Sequence, residues 1–554
     1  MKTRIFLFLI LLLIPILCFA ACNKADVPSD SPDTLEDAET EAQTSKNNAS
    51  CKHEYAAKCS QKCLLCGAIR TNVRAHTFDS ETECQNVVCT VCGEIREQSH
   101  SYENVDKTVS DALSLVTGKK VTQQCIKCDD IIEKDIGTLT AADIGMPAVY
   151  IDDYVQGQTK IVDLTKPTEI VVKFRYESNS ESGEDFECVS KLKVQGASSQ
   201  YNPKKNYTIK LFKDDTLEKK QNVDFGWGKQ NKYCLKANYI DSSHARNIVG
   251  ARLSSQVAAT RATVNSNLAS APNYGLIDGF PVIVYVNNYF YGIYTLNIPK
   301  DNWQFAMKSD SEQKQAILMA AQWSDSVRLK EPIGNDFATY GWDVEHCSTT
   351  DQTWIRESFN ELIALLNCED PDRIREELPK HLDIDAAIDN FLLTYTLNGG
   401  DNQAKNVLWA TYDGKVWIPS MYDMDATFGM WWEGTPIGTP GVTTRDMYPS
   451  WNEDGSYDIP GNGSKMYHIL IQYYGDQVEA RWAELRESII TIENITSLFK
   501  DFMSDIPEVA YYSDALRWTN IPYIDANRGN MYEATQDQLA RLDDFFYGLS
   551  EYGQ

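Results

Sequence analysis

Apolar and polar residues alternate along several short segments in the first part of the chain. The alternation is clearest at 148–151, 169–174, 191–194 and 207–211. Successive side chains of a strand point to opposite faces, so alternation over a few residues predicts β-strands with one buried face. We therefore expect the chain to form a β-rich region from about residue 147 onwards.

Later segments instead carry apolar residues at intervals of three and four, which is the spacing of one face of an α-helix. These segments are 354–378, 383–397, 478–502, 509–518 and 534–547. A β-rich first part followed by a helical second part predicts an α+β fold with two lobes.

A predicted hairpin between two of the helical segments carries acidic residues at both of its ends. Residues 407–412 and 415–422 suit strands, and Asp413-Gly414 between them favours a two-residue turn. Asp401 precedes the first strand and directly follows two glycines, which favour a tight loop. The hairpin therefore has one acid before its first strand and further acids after its second.

The two-residue turn also predicts a register for this hairpin. It places Asn406 opposite Met421, with Asp423 one diagonal step away on the same face, roughly 7–8 Å between side chains. Asp425 has the same parity as Asp423. Carboxylate and amide oxygens are the ligands that Mg²⁺ and Ca²⁺ prefer. We predict a divalent-cation site formed by Asn406 with Asp423, Asp425 or both, and Asp401 just outside it.

The loop between the third and fourth predicted strands has features of a phosphate-binding loop. Gly196, Ser198 and Ser199 can present backbone amides and hydroxyl groups to phosphate oxygens, and Lys204 and Lys205 add positive charge. Strand parity allows only one of the two lysines to face a cleft, and the sequence does not select between them. A solvated turn is the alternative interpretation.

The N-terminus has the layout of a secretory signal. A positively charged start is followed by an apolar run and by two alanines directly before Cys22. Small residues before a cysteine resemble a bacterial lipobox, so we predict a lipoprotein signal at 1–21 and a lipid on Cys22. The chain would then be exported and anchored to the outer face of the bacterial cell membrane. Ordinary signal cleavage or a retained membrane helix are the alternatives.

Two further regions precede the β-rich part. Residues 22–50 are acidic and poor in apolar residues, which predicts a disordered linker. Residues 51–135 contain nine of the 15 cysteines. Six of these form two C-x-x-C-G repeats, each followed by a histidine, and a third C-x-x-C pair. This spacing is typical of zinc sites, and disulfides are the alternative. The predicted ligands, whose grouping stays open, are Cys63, Cys66, His76, Cys89, Cys92, His100, Cys125 and Cys128, with Cys51, His53, Cys59 and Cys84 as further candidates.

Overall charge narrows the possible partners. The formal net charge of −27 argues against nucleic acid, because binding phosphate backbones needs clustered Lys and Arg. It also disfavours a protein surface that lies on anionic lipid. The length of 554 residues and a hydrophobic content of 43% predict a large globular core with appendages.

The order of acids around the hairpin resembles the catalytic half of a protein kinase. There, a loop Asp accepts the substrate proton, an Asn five residues later binds metal, and a hairpin leads to a second metal-binding Asp before a Gly. Asp401, Asn406, and Asp423 or Asp425 before Gly429 follow this order. The chain has neither His-Arg-Asp nor Asp-Phe-Gly at these positions, and its D-M-D-A-T-F-G run resembles the spore-coat CotH kinase family, an atypical kinase-like group.

Three further blocks resemble the same family in the same order. They are Q-G-A-S-S with P-K-K-N-Y-T-I-K-L, the block K-Y-C-L-K-A-N-Y-I-D-S-S-H-A-R-N, and a hairpin with Asn287-Asn288 at its turn. The resemblance implies a CotH kinase-like domain at 147–550 with an atypical protein-kinase-like, two-lobed α+β fold. It also implies binding of ATP with Mg²⁺, or Ca²⁺ or Mn²⁺ in its place.

The resemblance assigns roles to particular residues. Residues 196–199 would cover the phosphates, Lys204 or Lys205 would neutralise them, and Arg246 would be a further phosphate or structural partner. Asp401 would be the catalytic base. One position departs from the family: Asn297 stands where members often have Glu, so a kinase-type Lys–Glu pair cannot use it.

The implied function is an exported, lipid-anchored kinase-like enzyme. It would transfer phosphoryl from ATP to Ser, Thr or Tyr of a surface or spore-coat protein. The departure at Asn297 makes a catalytically inactive surface scaffold the first alternative. Nucleotide-dependent attachment of an adenylyl or amino-acid group is the second.

Overall fold

The computed structural model describes most of the chain beyond residue 139 and parts of the preceding region. The described residues are 52, 54–55, 62–70, 84, 87–91, 93, 95–96, 100–104, 120–128, 130–135, 139–437, 448–460, 463–519 and 529–549. The predicted signal, Cys22, the linker, Cys51, His53, Cys59, His76 and Cys92 lie outside them. The chain divides into two compact units, Met1–Ser99 and His100–Gln554.

In the first unit, the first cysteine and the glycine of each C-x-x-C-G repeat are joined by the same backbone hydrogen bond. The N–H of Gly67 donates to the carbonyl of Cys63 over 3.0 Å, and that of Gly93 to the carbonyl of Cys89 over 2.8 Å. Both glycines have a left-handed backbone with φ +73°. Strands β1 (Val87–Val88) and β2 (Ile95–Arg96) pair in antiparallel fashion around the second turn.

The second unit begins with a small three-stranded antiparallel sheet. Its strands, in spatial order, are β3 (Tyr102–Asn104), β4 (Lys120–Cys125) and β5 (Ile131–Asp135). A short helix, α1 (Ala141–Ile144), follows and is capped by the side chain of Thr140.

The β-rich part is a closed barrel of seven strands, and it confirms the four strands predicted from alternation. In chain order the strands are β6 (Ala148–Asp153), β7 (Glu169–Glu177), β8 (Phe186–Gln195), β9 (Asn206–Phe212), the inserted hairpin β10 (Val223–Asp224) and β11 (Lys229–Gln230), β12 (Lys232–Lys236), β13 (Gly279–Val286) and β14 (Tyr289–Asn297). The barrel order is β12-β14-β13-β6-β7-β8-β9. All neighbours are antiparallel except β13 and β6.

Side chains fill the barrel interior. Phe174, Tyr207, Tyr233 and Tyr294 are large side chains of this core, and each is less than 2% exposed. A seven-stranded barrel filled in this way is a packed core, so ligands must bind outside it.

A second sheet of four antiparallel strands lies in the helical part. Its strands are β15 (Ala316–Ala320), β16 (Trp342–Cys347), β17 (Val407–Thr411) and β18 (Ile418–Met421), in the order β16-β15-β17-β18. A separate short hairpin, β19 (Ser450–Trp451) with β20 (Tyr457–Asp458), follows later in the chain.

The register predicted for the hairpin β17–β18 is wrong by one residue. Val407 pairs with Met421, whereas the predicted two-residue turn would pair Asn406 with Met421. The carboxylate of Asp413 accepts hydrogen bonds from the N–H groups of the second and third residues after it, over 2.8 and 2.9 Å. These bonds stabilise a wider loop than the two-residue turn, and the pairing shifts accordingly.

Helices form most of the remaining structure and confirm the α+β prediction. They are α2 (Arg246–Ala259), α3 (Ser266–Ser270), α4 (Thr353–Leu366), α5 (Pro371–Glu377), α6 (Ile384–Thr396), α7 (Lys465–Ser488), α8 (Ile492–Ser504), α9 (Glu508–Arg517) and α10 (Met531–Phe546), with 3₁₀ turns at Ile161–Asp163, Ser198–Tyr201, Pro272–Gly275, Asn302–Phe305, Ala338–Tyr340, Leu378–Lys380 and Gly400–Asn402. Among the described helices, none combines the length and apolar character needed to cross a bilayer.

Two predicted helices are each divided in the structure. The segment 354–378 breaks before Pro371, where the side chain of Asp370 caps the new helix. The segment 478–502 breaks at Thr491, whose hydroxyl caps α8. In both cases a capping residue satisfies the first free N–H groups and starts a helix in a new direction.

Helix α2 packs against α6 and α8, and most of its residues are buried. Gly250 on this helix lies against Met424: a Cβ at position 250 would be 3.1 Å from the Met424 sulfur and 3.2 Å from its Cβ. The absence of a side chain at Gly250 therefore lets the segment after β18 pack closely against α2.

Candidate active site

A cleft with a volume of about 1090 Å³ lies between the barrel and the helical part of the second unit. The barrel contributes the loop after β8 and the end of β12. The helical part contributes the loop after α6 and the segment after β18. The cleft brings together the predicted residues Gly196, Ser198, Ser199, Asp401, Asn406, Asp423 and Asp425.

Asp401 lies in the 3₁₀ turn Gly400–Asn402, which begins shortly after helix α6. The helix ends where Asn398 adopts a left-handed backbone with φ +57°. The Asp401 carboxylate accepts hydrogen bonds from Lys405 Nζ over 2.6 Å and from Asn406 Nδ2 over 2.9 Å. Both donors contact the same oxygen, Oδ2, so the carboxylate has a defined orientation at the cleft.

Asn406 and Asp423 lie at the open end of the hairpin β17–β18. Both have left-handed backbones, with φ +57° and +54°. The N–H of Tyr422 donates to the carbonyl of Asn406 over 3.0 Å, and Asn402 Nδ2 donates to the carbonyl of Tyr422 over 2.8 Å. Left-handed residues interrupt the alternation of a strand, so both side chains line the cleft although the predicted register was wrong.

Asp423 and Asp425 place two carboxylates in the cleft. Burial and, after it, the negative charge of Asp423 raise the pKa of Asp425 to about 8. Burial alone would also raise the pKa of Asp423, but the ammonium of Lys236 holds it below its ordinary value. A divalent cation would relieve the repulsion between the two acids. Two carboxylates and the Asn406 amide are oxygen donors of the kind that Mg²⁺ and Ca²⁺ bind, so this donor set fits a divalent metal.

Lys236, the last residue of β12, is a cleft residue that sequence analysis missed. Its Nζ donates to Asp423 Oδ1 over 3.3 Å and lies 5.7 Å from the centre of the Tyr422 ring. Burial alone would lower the pKa of Lys236, but the Asp423 carboxylate raises it above its ordinary value, so the ammonium stays charged. Strand alternation could have indicated this residue, because Lys232, Cys234 and Lys236 share one face. All three line the cleft.

The predicted phosphate loop is compact and requires a glycine. Gly196 has φ +106°, and a Cβ there would lie 2.0 Å from Ser199 Oγ. The 3₁₀ turn Ser198–Tyr201 follows directly. Ser199 Oγ accepts a hydrogen bond from Asn206 Nδ2 over 3.2 Å, and Lys166 Nζ donates to the carbonyl of Gly196. The glycine and the serines therefore line the cleft.

The two lysines of this loop bind protein oxygens. Lys204 is 1% exposed, and its Nζ donates to the carbonyl of Ile293 over 2.7 Å and to both carboxylate oxygens of Asp514 over 2.8 and 3.0 Å. Lys205 Nζ donates to the carbonyl of Gln200 over 2.9 Å. Both ammonium groups thus bond to protein oxygens, although contacts with phosphate were predicted for one of them. Lys204 joins the barrel to α9, and Lys205 bonds within its own loop.

The contacts of Arg246 favour the second of its two predicted roles, that of a structural partner. Its guanidinium is buried, forms an ion pair with Asp241, and donates through Nε to the carbonyl of Thr427 over 3.0 Å. The neighbouring Asn247 accepts a hydrogen bond from the N–H of Met424 over 3.0 Å. The start of α2 therefore holds the backbone of the segment that carries Asp423 and Asp425.

A second ion pair in the cleft joins Lys300, after β14, to Glu345 on β16. Asn297, where a kinase-type glutamate is missing, is buried in the barrel wall and pairs with Cys234 between β12 and β14. The cleft therefore contains a lysine–glutamate pair that does not use position 297.

Basic, acidic and aromatic side chains together line the cleft. The lysines that line it are Lys166, Lys193, Lys204, Lys232, Lys236, Lys300 and Lys405. Six acids line the same cleft: Asp343, Glu345, Asp401, Asp423, Asp425 and Glu433. The lysines therefore lie among carboxylates. Trp431 and Trp432 also line the cleft, and Trp432 is half exposed.

Among the predicted zinc ligands, the structure brings His100, Cys125 and Cys128 together, with their ligand atoms within 4.8 Å of one another. The other described members are Cys63, Cys66 and Cys89 in the first unit, whereas His76 and Cys92 lie outside the described residues.

The second unit combines a barrel, a helical part and a cleft in which Asp401, Asn406 and two further aspartates meet. This arrangement defines a kinase-like protein. A family model described as CotH kinase protein matches residues 192–547, which is well over half of the chain. The chain therefore belongs to the CotH kinase family. A search of curated proteins finds no match.

Proposed function

We propose that this protein transfers the γ-phosphoryl group of ATP to a Ser, Thr or Tyr hydroxyl of a surface or spore-coat protein. The observation that carries the proposal is the meeting of Asp401, Asn406, Asp423 and Asp425 with Lys236 in one cleft. Phosphoryl transfer requires mainly positioning and neutralisation of charge. Carboxylates, an amide and a charged lysine in a shared cleft provide both.

Asp401 is the proton acceptor in this proposal. Hydrogen bonds from Lys405 and Asn406 orient its carboxylate. A carboxylate within hydrogen-bond distance of the acceptor hydroxyl takes its proton as the hydroxyl oxygen attacks phosphorus.

Asn406, Asp423 and Asp425 would hold Mg²⁺, which supplies positive charge to the phosphate oxygens when bound. Lys236 adds a second positive charge beside Asp423. The loop 196–199 offers N–H groups and hydroxyls at the opposite wall of the cleft. Together these groups would position the nucleotide against Asp401.

The variant Asp401→Ala tests the proposal. With ATP labelled on its γ-phosphate, it should lose transfer to protein by about 100-fold or more, because general-base catalysis contributes typically that much. The matched control is Asp385→Ala, which removes an exposed acid from the first turn of α6 and should keep the activity. Transfer that is unchanged in Asp401→Ala, with the fold intact, would refute the assigned chemistry.

Two measurements separate the proposal from the other candidate functions. Calorimetry with ATP and Mg²⁺ should show binding; absence of heat with any nucleotide would support a surface scaffold. Mass spectrometry of the modified protein should show the mass of a phosphoryl group. The mass of an adenylyl or amino-acid group would instead support a different transfer by the same cleft.

We further propose that the chain is exported and anchored to the outer face of the membrane through a lipid on Cys22. The charged start, the apolar run and the small residues before Cys22 support this location. In the native host, the variant Cys22→Ser should fail to incorporate labelled fatty acid. Equal incorporation in wild type and variant would contradict the anchor.

A further inference from the structure

Three metal-binding side chains meet beside the small sheet β3-β4-β5, and none of them lines the cleft. The ligand atoms of His100, Cys125 and Cys128 lie within 4.8 Å of one another. The closest pair is Cys128 Sγ and His100 Nδ1, at 3.3 Å.

The backbone builds this cluster from two directions. Cys125 ends strand β4, and Cys128 follows in the turn to β5. The N–H of Lys127 donates to Cys125 Sγ over 3.4 Å, a contact that favours a thiolate over a thiol. The N–H of Ile126 donates to the carbonyl of Ser101 over 2.9 Å, which ties the turn to the segment that carries the histidine.

The aromatic neighbour positions the imidazole. The Tyr102 ring stacks on the His100 ring with centroids 5.3 Å apart and an angle of 14° between the planes. The Tyr102 hydroxyl donates to Asp130 over 2.6 Å, and the N–H of Cys125 donates to the carbonyl of Asp130 over 2.8 Å. The imidazole and the two sulfur atoms are therefore placed by hydrogen bonds and stacking that do not depend on a metal.

We propose that His100, Cys125 and Cys128 bind a structural zinc ion. Tetrahedral zinc holds sulfur at about 2.3 Å and nitrogen at about 2.0 Å, which separates the two kinds of ligand by roughly 3.5 Å. The observed 3.3 Å between Cys128 Sγ and His100 Nδ1 agrees with this separation. Thiolate and imidazole select zinc over Mg²⁺ and Ca²⁺, which prefer oxygen. A further donor, from protein or water, completes the tetrahedron.

The small sheet has little apolar surface to bury, and a bound metal would stabilise it. Ile126 and Ile131, at the turn and in β5, are 60% and 61% exposed. A sheet of three short strands is marginal without additional stabilisation, and zinc supplies such stabilisation in small domains. The proposed ion would therefore stabilise the three strands β3, β4 and β5, a role separate from phosphoryl transfer.

Metal analysis of the full chain, purified under reducing conditions without chelator, tests this proposal. Cys125→Ser and Cys128→Ser should each lose about one equivalent of zinc per chain relative to wild type. The control Cys188→Ser, which alters a free cysteine in the barrel, should keep the wild-type zinc content. Wild-type zinc content in both ligand variants would overturn the proposal. A Cys125–Cys128 disulfide in peptides from a separate preparation made without reductant would overturn it as well.

Two substitutions at His100 distinguish loss of a zinc ligand from loss of zinc through misfolding. His100→Cys should retain zinc, whereas His100→Ala should lose it. With Co²⁺ in place of zinc, His100→Cys should also strengthen the thiolate-to-metal absorption band, because a third sulfur replaces nitrogen. Full zinc content in His100→Ala, with no change of the cobalt band in His100→Cys, would show that this histidine is not a ligand.

Discussion

At the scale of single residues, the cleft depends on backbone conformations that few side chains tolerate. Asn406 and Asp423 both have left-handed backbones, and Asn and Asp are the non-glycine residues that adopt this conformation most readily. Gly196 has φ +106° and no room for a side chain. These residues therefore satisfy a backbone requirement in addition to their proposed contacts with metal and phosphate.

Gly196→Ala should weaken nucleotide binding and lower the free energy of unfolding by about 1 to 3 kcal/mol, because the new methyl group meets Ser199 Oγ in a strained backbone. Calorimetry with ATP and chemical denaturation measure the two effects. Gly226→Ala is the control, since φ there is +99° but nothing lies within 4 Å of the added Cβ. Equal nucleotide affinity in both variants would show that the loop does not contact phosphate.

Lys236→Met should reduce phosphoryl transfer by about 100-fold or more, because it removes the positive charge beside Asp423. Initial rates at several ATP concentrations would show whether kcat or KM carries the loss. Lys210→Met removes a lysine of the neighbouring strand that does not line the cleft and should leave the rate unchanged. A similar rate in Lys236→Met and wild type would exclude Lys236 from the reaction.

At the scale of elements, one buried ion pair fastens the barrel to the helical part. Lys204, in the loop before β9, and Asp514, in α9, have side chains that are 0% and 3% exposed. The N–H of Ile293 in β14 also donates to Asp514 over 2.8 Å, and His244 Nε2 lies 3.4 Å from it. This cluster therefore joins the loop before β9, strand β14 and helix α9.

Lys204→Met should lower the free energy of unfolding by about 3 to 5 kcal/mol, because it leaves the buried Asp514 carboxylate without its cation. Lys205→Met is the matched control and should cost less than about 1 kcal/mol, since Lys205 bonds only to carbonyls of its own loop. Urea denaturation of both variants measures the difference. An equal loss of unfolding free energy in the two variants would contradict the stabilising role of the Lys204–Asp514 ion pair.

At the scale of the whole molecule, the same cluster links stability to pH. Burial and then the charge of Lys204 lower the pKa of His244, although Asp514 and Asp241 act in the opposite direction. The unfolded chain protonates this histidine near its ordinary pKa of 6.5, whereas the folded chain keeps it neutral to lower pH. The unfolded state therefore binds more protons below that pH, and acid destabilises the fold.

The free energy of unfolding should accordingly fall as the pH drops below about 6.5, by at most about 1.4 kcal/mol per pH unit from His244. His244→Asn tolerates the left-handed backbone at this position, φ +59°, and should reduce the slope. Denaturant titrations at about pH 5 and about pH 7 compare the two proteins. Buried histidines elsewhere contribute to both slopes, so only the difference reports on His244; identical slopes would contradict the assignment.

Much of the secondary structure and part of the cleft followed from local sequence. Alternation predicted four barrel strands, and periodicity predicted the helical part. A glycine-rich loop before Asp401, with Asn406 five residues later, indicated the loop to which we assign the proposed catalytic base. The local pattern did not predict the wider loop that Asp413 stabilises. The predicted register of the hairpin was therefore wrong by one residue.

Sequence alone determined which residue types were available for chemistry and which segments would be strands, helices and tight loops, because those properties depend on neighbours a few residues apart. Only the tertiary structure decided the partners of the charged groups. Lys204 bonds to a carboxylate 310 residues away and Lys236 to one 187 residues away. Contacts between such distant positions leave no periodic pattern in the sequence. The strength of an interaction between charges depends on their burial, and these charges are buried only once the barrel and the helices have packed together.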